Sequence, residues 1–389
     1  MDTRLVWVAV GGFAINVEVF AFAGLMPGMA ADTGVAVSQA GYLASAYAVS
    51  FAIGAPLLTS IFASSDRRQV LTVAAVVFSA LALIAALSTG YWQLFGTRVA
   101  LGLTAGLFGP LALATAAALS TPEGRGRAVS IVISGQTAAV AVGVPLAALI
   151  ATRFGWRVSY LSLTAIGAIA AMALWFRLPG GIHGVRLTIR ERLSALAIPG
   201  VSLTYAVTVL FLIGGFSQFF YLGPLTTKFL ALETWWIPLA LLGYGLGAAI
   251  GNLTGGRLND RLGSTRVIVF GIAATALLLP FLALIPSLPR LAVGPAWWGF
   301  QFLTGFTAWA YYPGQISRLA AFRPSAAPLI LSLNGTANNI GTAIAAIVGG
   351  IVLDRIGLSA IGPVASLFAL AALVLVLVMD RGRRQDMTA

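Results

Sequence analysis

The sequence contains no cysteine and only one histidine, His183, among 389 residues. Disulfide bonds, thiolate nucleophiles and cysteine–histidine zinc sites are therefore excluded. Acidic residues are also scarce, with 11 Asp and Glu in the whole chain, and there is no glycine-rich phosphate-binding loop that could use ATP. A membrane-embedded enzyme would need a cluster of titratable or metal-binding groups. We therefore expect neither an enzyme nor a bound metal or cofactor.

Apolar residues are abundant instead. Hydrophobic residues make up 59% of the chain and charged residues 9%, whereas roughly a quarter of the residues in soluble domains are charged. Apolar segments of about 20 residues, the length that crosses a bilayer, recur along the whole chain. The net charge of +12 is spread in small groups between these segments, so we expect no nucleic-acid partner. The composition predicts an integral membrane protein.

The predicted fold is an all-α membrane protein with twelve transmembrane helices in two six-helix bundles. Residues 1–176 form the first bundle, 177–198 a cytoplasmic linker, and 199–389 the second bundle with a short cytoplasmic tail. We expect the first apolar run to be a retained helix rather than a cleaved signal peptide. The predicted helices span residues 5–27, 37–62, 70–88, 92–118, 127–150, 158–176, 199–223, 235–256, 265–285, 292–312, 326–351 and 358–379.

The distribution of basic residues predicts the orientation. Most of the 23 lysines and arginines fall in loops on the side of the N-terminus, and Arg318 is counted among these loop residues. Both termini are therefore expected in the cytoplasm of a bacterial-type cell, with the chain in its inner membrane. The halves also repeat weakly, since ATRFG at 151–155 has a counterpart in LDRIG at 353–357. Parallel repeats of this kind are typical of transporters with a substrate site near mid-membrane.

The segment 177–198 has two interpretations. Its charged stretch LTIRERLSAL could lie along the inner membrane surface as an amphipathic helix. The simpler interpretation, a solvated linker between two bundles, suits its modest length better. We assign it no chemistry.

Glu18 and Arg98 are the charged residues that fall well inside predicted helices. Such residues are costly near hydrocarbon and are functional by default. Glu18 lies about 14 Å from the outer end of the first helix and Arg98 about 9 Å from the outer start of the fourth, at 1.5 Å per residue, so their depths agree within boundary errors of a few residues. We predict that they pair, that Glu18 exchanges a proton and substrate in turn, and that Arg98 tunes it. A carboxyl group away from water has a raised pKa and a nearby arginine lowers that pKa, so a site that alternates between these surroundings can load and unload a proton. A fixed structural pair, or separate backbone and water contacts, is the alternative.

Amide and aromatic side chains on the predicted helices suit a pocket for a neutral or cationic organic solute. Asn338 and Asn339 are the best candidates, because adjacent amides in an apolar helix need partners that a substrate could replace. Each candidate could instead form an interhelical hydrogen bond or anchor a helix at the membrane interface. The full set is Asn16, Phe20, Gln136, Tyr205, Gln218, Tyr221, Tyr244, Gln301, Trp309, Tyr311, Asn334, Asn338 and Asn339.

Several motifs carry a family resemblance. The strongest is GGRLNDRLGSTR, where Gly256, Asp260, Arg261 and Gly263 fit the loop pattern G-x-L-x-D-R-x-G. A weaker copy between the second and third helices keeps Gly54, Arg67 and Arg68, with Asp66 where the pattern has glycine. The fourth helix has Arg98, Gly102 and Gly106, and the fifth has Gly135, Gly143 and Pro145, followed by FGWR at 154–157.

With these motifs the chain resembles the major facilitator superfamily, in particular its twelve-helix drug:proton antiporter branch. The resemblance implies a monomeric secondary transporter in a lipid bilayer that exports a small organic or drug-like solute in exchange for protons, by alternating access. It also implies that Arg98 takes part in proton coupling and that the other motif residues take part in conformational change. A sugar or nucleoside exporter and an uptake symporter of the same fold stay open, as do a non-transporting membrane receptor and a polytopic membrane enzyme.

Overall fold

The computed structural model describes residues 3–121, 123–184 and 189–388, with side chains through Arg381. The described residues are mostly helical and contain no strand. Residues 185–188 of the predicted linker, which include the topology residue Arg186, lie outside the described part of the chain.

Each of the twelve predicted segments corresponds to a long helix. Eleven described helices are long and apolar enough to cross a membrane, by length and composition. The other, α10, is 33 residues long, but Gln301, Gln315 and Arg318 lower its mean hydropathy. The helices are α1 Thr3–Thr33, α2 Val37–Ile61, α3 Arg67–Leu87, α4 Tyr91–Ala118, α5 Arg125–Phe154, α6 Trp156–Arg177, α7 Val201–Phe220, α8 Trp236–Leu262, α9 Ser264–Ser287, α10 Arg290–Phe322, α11 Ala327–Arg355 and α12 Ile361–Thr388.

The chain forms two compact units. The first contains Met1–Ala36 and Ala46–Ile189, and the second contains Val37–Ser45 and Arg190–Ala389. The linker is therefore divided between the two units. Its last part packs into the second unit, because Ala195 is 1% exposed in a core cluster with Val201 and Leu333.

Two helices continue past prolines at which the sequence predicts their ends. Pro27 lies inside α1, and Pro313 lies inside α10. A proline removes one backbone hydrogen bond of a helix, but packing beyond it can hold the helix together, and Gln315 is buried two residues after Pro313. The interpretation of Arg318 as a loop residue is wrong for the same reason, since Arg318 lies inside α10 and is 4% exposed.

α7 is interrupted where the sequence predicts a continuous helix to residue 223. Its last residue is Phe220, and Tyr221 leaves the helical region with φ −95° and ψ 15°. The chain continues as the short turn Leu222–Pro224 and a π-helical turn, Leu225–Phe229. Pro224 favours this break because it has no backbone N–H to donate to the Phe220 carbonyl oxygen, four residues earlier.

α5 contains a π-helical turn, Ala139–Gly143, which ends two residues before Pro145. Gly135, one helical turn before it, and Gly143, its last residue, both face α1. A Cβ at Gly135 would overlap the Ala9 carbonyl oxygen, and a Cβ at Gly143 would overlap Val17. α5 is therefore packed closely against α1 at both glycines, against backbone at Gly135 and against side chains at Gly143.

In the second unit, glycines of α8 bring this helix against α10. A Cβ at Gly247 would overlap the carbonyl oxygen of Phe302, and a Cβ at Gly251 would overlap that of Phe306. The contact is reciprocal, because Gly305 of α10 lies against the Tyr244 carbonyl oxygen. Small residues at four-residue spacing thus allow two membrane helices to approach within backbone contact.

This contact predicts different outcomes for two Gly→Ala substitutions in the same helix. Gly247→Ala should destabilise the folded protein by about 1–3 kcal/mol, the usual cost of overpacking. Gly256→Ala is the matched control, because nothing lies within 4 Å of its added Cβ, and alanine favours a helix over glycine by roughly 0.5–1 kcal/mol. Thermal unfolding in detergent measures both. Equal melting temperatures for the two variants would contradict the packing described.

Candidate functional site

The site begins with one ion pair in the first unit. The Glu18 Oε1 atom on α1 forms a salt bridge with the Arg98 Nη1 atom on α4. Both residues are only 2% exposed. A charge in such surroundings needs a close partner, since an isolated buried ion costs several kcal/mol. The structure thus brings together the two intramembrane charges that the sequence singles out.

Tyr160 on α6 is the third member of the site. Its hydroxyl group donates a hydrogen bond to Glu18 Oε1 at 3.0 Å, and it lies 3.4 Å from Arg98 Nη1 as an acceptor. A phenol can hold both positions because its oxygen donates one hydrogen and accepts others. The sequence does not identify Tyr160 as a site residue, although a hydroxyl group in an apolar helix requires a partner.

Two aromatic rings enclose the Arg98 guanidinium group. Its carbon lies 4.5 Å from the ring centroid of Phe22 and 4.7 Å from that of Tyr47. Both rings are at most 2% exposed. Cation–π contacts of this kind are worth up to about 2 kcal/mol when the cation is desolvated. Arg98 is therefore held both by the carboxylate and by rings that carry no charge.

The site retains unused hydrogen-bonding capacity. Glu18 Oε2 and the Tyr47 hydroxyl oxygen are buried and have no hydrogen-bond partner. Buried polar atoms without partners are uncommon in folded proteins and mark places where chemistry can occur. Glu18 thus uses one oxygen in the ion pair and leaves the other available.

The motif glycines explain how α2 comes close enough to present Tyr47. A Cβ at Gly102 would overlap the Tyr47 carbonyl oxygen, and a Cβ at Gly106 would lie 2.8 Å from the Ala55 backbone nitrogen. Gly54 of α2 faces Leu103 in return. The spacing of Arg98, Gly102 and Gly106 therefore places all three on the face of α4 that packs against α2.

The other first-unit candidates are all half-buried. Asn16 is half-buried and its amide nitrogen donates to the Gly12 carbonyl oxygen one turn earlier, at 2.8 Å. Gln136 is half-buried and packs near Gly12 of α1. A Cβ atom added to Gly12 would lie 3.9 Å from the Gln136 Cγ atom. Phe20 is also half-buried. Their contact with a solute stays a prediction.

Several second-unit candidates serve interhelical packing. The hydroxyl group of Tyr205 donates to the Ile330 carbonyl oxygen at 2.7 Å, and that of Tyr221 donates to the Ala346 carbonyl oxygen at 2.9 Å. Tyr244 is 2% exposed and is hydrogen-bonded by Trp309. These contacts match the interhelical alternative that the sequence leaves open.

Amide groups of the second unit form three further contacts. Gln301 donates its side-chain amide to the side-chain oxygen of Gln218, Oε1, at 3.1 Å, and both residues are at most 1% exposed. Asn338 donates to the Tyr312 hydroxyl oxygen at 2.7 Å and keeps its buried side-chain oxygen, Oδ1, without a hydrogen-bond partner. Its neighbour Asn339 instead donates to the Gly335 carbonyl oxygen, at 3.0 Å.

Thr208 connects three helices of the second unit. Its hydroxyl group lies 3.2 Å from the Asn334 amide oxygen and 3.4 Å from the Tyr311 hydroxyl oxygen, and Gln315 donates to it at 2.7 Å. The sequence predicts Asn334 and Tyr311 but misses Thr208 and Gln315. Gln315 is missed because it lies beyond Pro313, where the predicted helix ends.

At one end of the first unit, the start of the linker is bound to the loop between α2 and α3. The Arg67 amide donates to the Ile182 carbonyl oxygen at 2.8 Å, and the Gly184 amide donates to the Ala63 carbonyl oxygen at 3.0 Å. His183 Nδ1 lies 2.9 Å from the Ser64 carbonyl oxygen. We refer to residues 63–67 and 181–184 as the linker latch.

Asp66 holds the latch together. One carboxylate oxygen accepts a hydrogen bond from the Arg68 amide at 2.8 Å, which caps the N-terminus of α3, and the other accepts from the Gly181 amide at 2.5 Å. Burial raises the pKa of Asp66, but bonds from the backbone amides of Gly181, Arg68 and Gln69 outweigh burial and leave the pKa below its ordinary value. The departure from the loop pattern therefore gives Asp66 a local structural role.

The second loop motif has a different structure. α8 continues through Asp260 and Arg261 to Leu262, whereas the sequence predicts its end near residue 256. Gly263 then turns the chain with φ +81°, a value that glycine adopts without strain. Both Asp260 and Arg261 are exposed. The pattern thus forms a helix end with a glycine stop.

The FGWR run joins three helices of the first unit. Arg157 forms a salt bridge with the Asp32 carboxylate at the end of α1 and donates to the Ser88 carbonyl oxygen after α3, at 3.1 Å. Trp156 donates its indole N–H to the same carboxylate at 2.9 Å. Gly155 supplies the turn between α5 and α6, with φ +90°.

The sequence matches known proteins over nearly its whole length. The family described as the Major Facilitator Superfamily matches residues 8–242 and 236–387. The chain is 30% identical over 390 residues to the uncharacterized MFS-type transporter YtbD of Bacillus subtilis, with 98% of this chain and 97% of that protein covered. It is 31% identical over 385 residues to the inner membrane transport protein YdhP of Escherichia coli K12, with coverage of 99% and 97%.

A third relative has a name that refers to a drug. The chain is 31% identical over 361 residues to the chloramphenicol resistance protein of Streptomyces lividans, and 91% of this chain and 90% of that protein are covered. These relatives are transporters and a resistance protein rather than enzymes, which confirms the expectation that the chain is not an enzyme.

Solved structures show the same fold. A bacterial homolog of the human lysosomal transporter Spinster, in an inward-facing and occupied conformation, has a TM-score of 0.76 and 14% identity, covering 97% of this chain and 96% of that one. The human organic anion transporter MFSD10 has a TM-score of 0.72 and 16% identity, covering 97% and 99%. These similarities confirm the predicted all-α membrane fold.

The ion pair predicts a pH-dependent loss of stability when Arg98 is removed. Arg98→Gln leaves the Glu18 carboxylate buried with only the Tyr160 hydroxyl group beside it, and breaking such a pair costs about 3–5 kcal/mol. We expect the loss in melting temperature at neutral pH to become smaller as pH falls, because a proton can neutralise the carboxyl group.

Glu18→Gln is the matched comparison for this measurement. It leaves a buried guanidinium group, which does not lose its proton in proteins, so its stability loss should change little with pH. The same pH profile of melting temperature for both variants would contradict the proposed balance of charges in the site.

The hydrogen bonds of the linker latch predict that loss of the Asp66 carboxylate releases the linker. Asp66→Ala removes the α3 cap, worth about 0.5–2 kcal/mol, together with the bond to Gly181. We expect faster hydrogen exchange at residues 181–184 and faster trypsin cleavage at Arg190 and Arg192. Since the pKa of Asp66 is lowered, the latch should be intact above the ordinary carboxyl range and should open as pH falls through the lowered value.

Glu123→Ala is the control for the latch, because Glu123 is an exposed acid in the loop before α5. It should leave exchange at residues 181–184 unchanged. If Asp66→Ala also leaves this exchange unchanged, the carboxylate does not hold the linker.

Proposed function

We propose that this chain, which belongs to the major facilitator superfamily, is a proton-coupled exporter of a small organic solute. It is a multi-pass membrane transporter, and its relatives include bacterial inner membrane proteins. The proposed part is the coupling to protons, the direction of transport, the class of solute and the orientation with both termini in the cytoplasm.

The observation that carries the proposal is the Glu18–Arg98–Tyr160 site. Among the acidic side chains that the structure describes, Glu18 is the buried one. A transported proton needs a group within the membrane that can accept and release it, and ionisable residues there mark proton pathways. Glu18 has the required chemistry, and its Oε2 atom has no hydrogen-bond partner.

In this proposal, Arg98 makes the protonation of Glu18 reversible. While Glu18 is charged, the guanidinium group binds it directly. When Glu18 takes up a proton, the Coulomb attraction is lost, and Arg98 stays between Phe22 and Tyr47 through cation–π contacts. Tyr160 can follow the change, because its hydroxyl group both donates and accepts. The same four helices α1, α2, α4 and α6 thus support both states of the carboxyl group.

The solute class rests on chemistry and on one relative. The name of the Streptomyces lividans relative refers to chloramphenicol resistance, which supports export of a drug-like compound. Half-buried amides of the predicted set, Asn16, Gln136 and Asn338, offer hydrogen bonds within largely apolar helices. Amides among apolar residues suit a neutral or cationic organic solute better than a strongly hydrated ion.

The experiment is pH-driven transport by purified protein in sealed vesicles. Glu18→Gln cannot exchange a proton, so an imposed pH gradient should drive little transport by this variant, while solute binding and exchange without a gradient persist. Glu233→Gln, at an exposed acid in the loop before α8, should transport like the wild type. Undiminished pH-driven transport by Glu18→Gln would end the proposal.

A screen in cells identifies the solute and the direction. Expressing cells are compared with controls for resistance to and accumulation of antibiotics, dyes, sugars and nucleosides, with and without an uncoupler. Export should lower the accumulation of at least one toxic compound, and the uncoupler should abolish this effect. Increased sensitivity of the expressing cells would instead indicate uptake.

A further inference from the structure

We propose that the groove between α3 and α6 binds one phospholipid that carries an anionic headgroup. This α3–α6 groove has a volume of about 490 Å³, within the range of roughly 300–1,000 Å³ found for small-ligand pockets. It lies within the first unit, and its lining residues include Thr72, Val76 and Leu83 from α3 and Ala168, Met172 and Trp175 from α6. None of these residues belongs to the Glu18 site.

The groove is apolar and open at the surface of the unit. Val76 is 52% exposed and Met172 is 58% exposed, and exposed apolar side chains on membrane helices face lipid. Ala80 of α3 and Ala168 of α6 line the groove among larger residues, and their small side chains create the depression. The surface therefore fits an acyl chain better than a polar solute.

One end of the groove is positively charged. The Arg68 guanidinium carbon lies 4.6 Å from the ring centroid of Trp175, which lines the groove. Arg67 precedes Arg68, and Arg177 ends α6 two residues after Trp175. Asp66 is the acidic residue nearest to Arg68 in sequence. Its carboxylate already accepts hydrogen bonds from the backbone amides of Arg68 and Gly181. The local balance is therefore positive, and Arg68 Nε is buried without a hydrogen-bond partner.

The chemistry along α3 follows the order of groups in a phospholipid. Arg68, Thr72, Val76 and Ala80 recur every four residues and so share one face of the helix. Arg68 lies in the first turn of α3, where the proposal places the phosphate group, and Thr72 lies one turn further along the helix with a hydroxyl group that has no hydrogen-bond partner. A glycerol ester carbonyl at that depth can accept from it. Apolar residues follow.

The groove is long enough to hold a large part of an acyl chain. Thr72 and Leu83 are about 16 Å apart along the helix axis at 1.5 Å per residue, and the acyl region of one leaflet is about 15 Å thick. Basic sites between membrane helices are a known way to bind anionic lipid headgroups. The groove thus offers an acyl chain a continuous apolar surface beside a basic group.

Native mass spectrometry of the full chain in detergent tests the proposal, with phosphatidylglycerol compared with phosphatidylcholine of identical acyl chains. The wild type should retain one phosphatidylglycerol in preference to phosphatidylcholine. Arg68→Gln should reduce this preference about fivefold, the effect expected for one basic residue at the surface. Glycerol 3-phosphate should not displace the lipid, because it lacks the acyl chains; displacement would indicate a free phosphate site instead.

Arg157→Gln is the matched control, because Arg157 also lies over a tryptophan ring, that of Trp156, but at the opposite end of α6. It should leave lipid retention unchanged. Ala168→Leu fills the groove and should weaken retention of both lipids. Equal retention of the two lipids by the wild type, or equal effects of Arg68→Gln and Arg157→Gln, would overturn the proposal, whatever the outcome of the transport measurements.

Discussion

The first unit depends on one constraint: a charge removed from water must have a close partner. Glu18 and Arg98 satisfy this requirement for each other, and the remaining polar and aromatic groups around them come from α1, α2 and α6. The tight backbone contact at Gly102 exists because Tyr47 must lie over the guanidinium group. Packing that would otherwise be interchangeable among apolar helices is thereby restricted to one arrangement.

The sequence predicts the fold and the ion pair well because charged residues are rare in its long apolar segments. With so few charges in the apolar segments, Glu18 and Arg98 have few other partners, and the hydropathy pattern locates the helices. Tyr160 could not be predicted in the same way. A single tyrosine in an apolar helix equally suits an interface anchor, and only the packing of α6 against α1 brings its hydroxyl group to Glu18.

Local rules fail where tertiary contacts outweigh them. Pro313 predicts the end of a helix, but buried residues beyond it keep α10 helical and move Arg318 from a predicted loop into the unit. Asp66 departs from the loop pattern, and its capping role depends on a linker residue more than 100 positions later in the chain, Gly181. The α3–α6 groove is likewise invisible in the sequence, because it depends on two distant sets of small residues.

The π-turn of α5 also determines which changes in length this helix can tolerate. A helix turns by about 100° per residue, so residues seven apart are nearly aligned, whereas residues eight apart differ by about 80°. Gly135 and Gly143 are eight apart, yet both face α1, because the π-turn takes up one extra residue. Deletion of Val142, which is 53% exposed, would restore a regular helix and keep both contacts in phase, whereas a deletion before Gly135 would rotate the residues on its two sides by about 100° relative to each other.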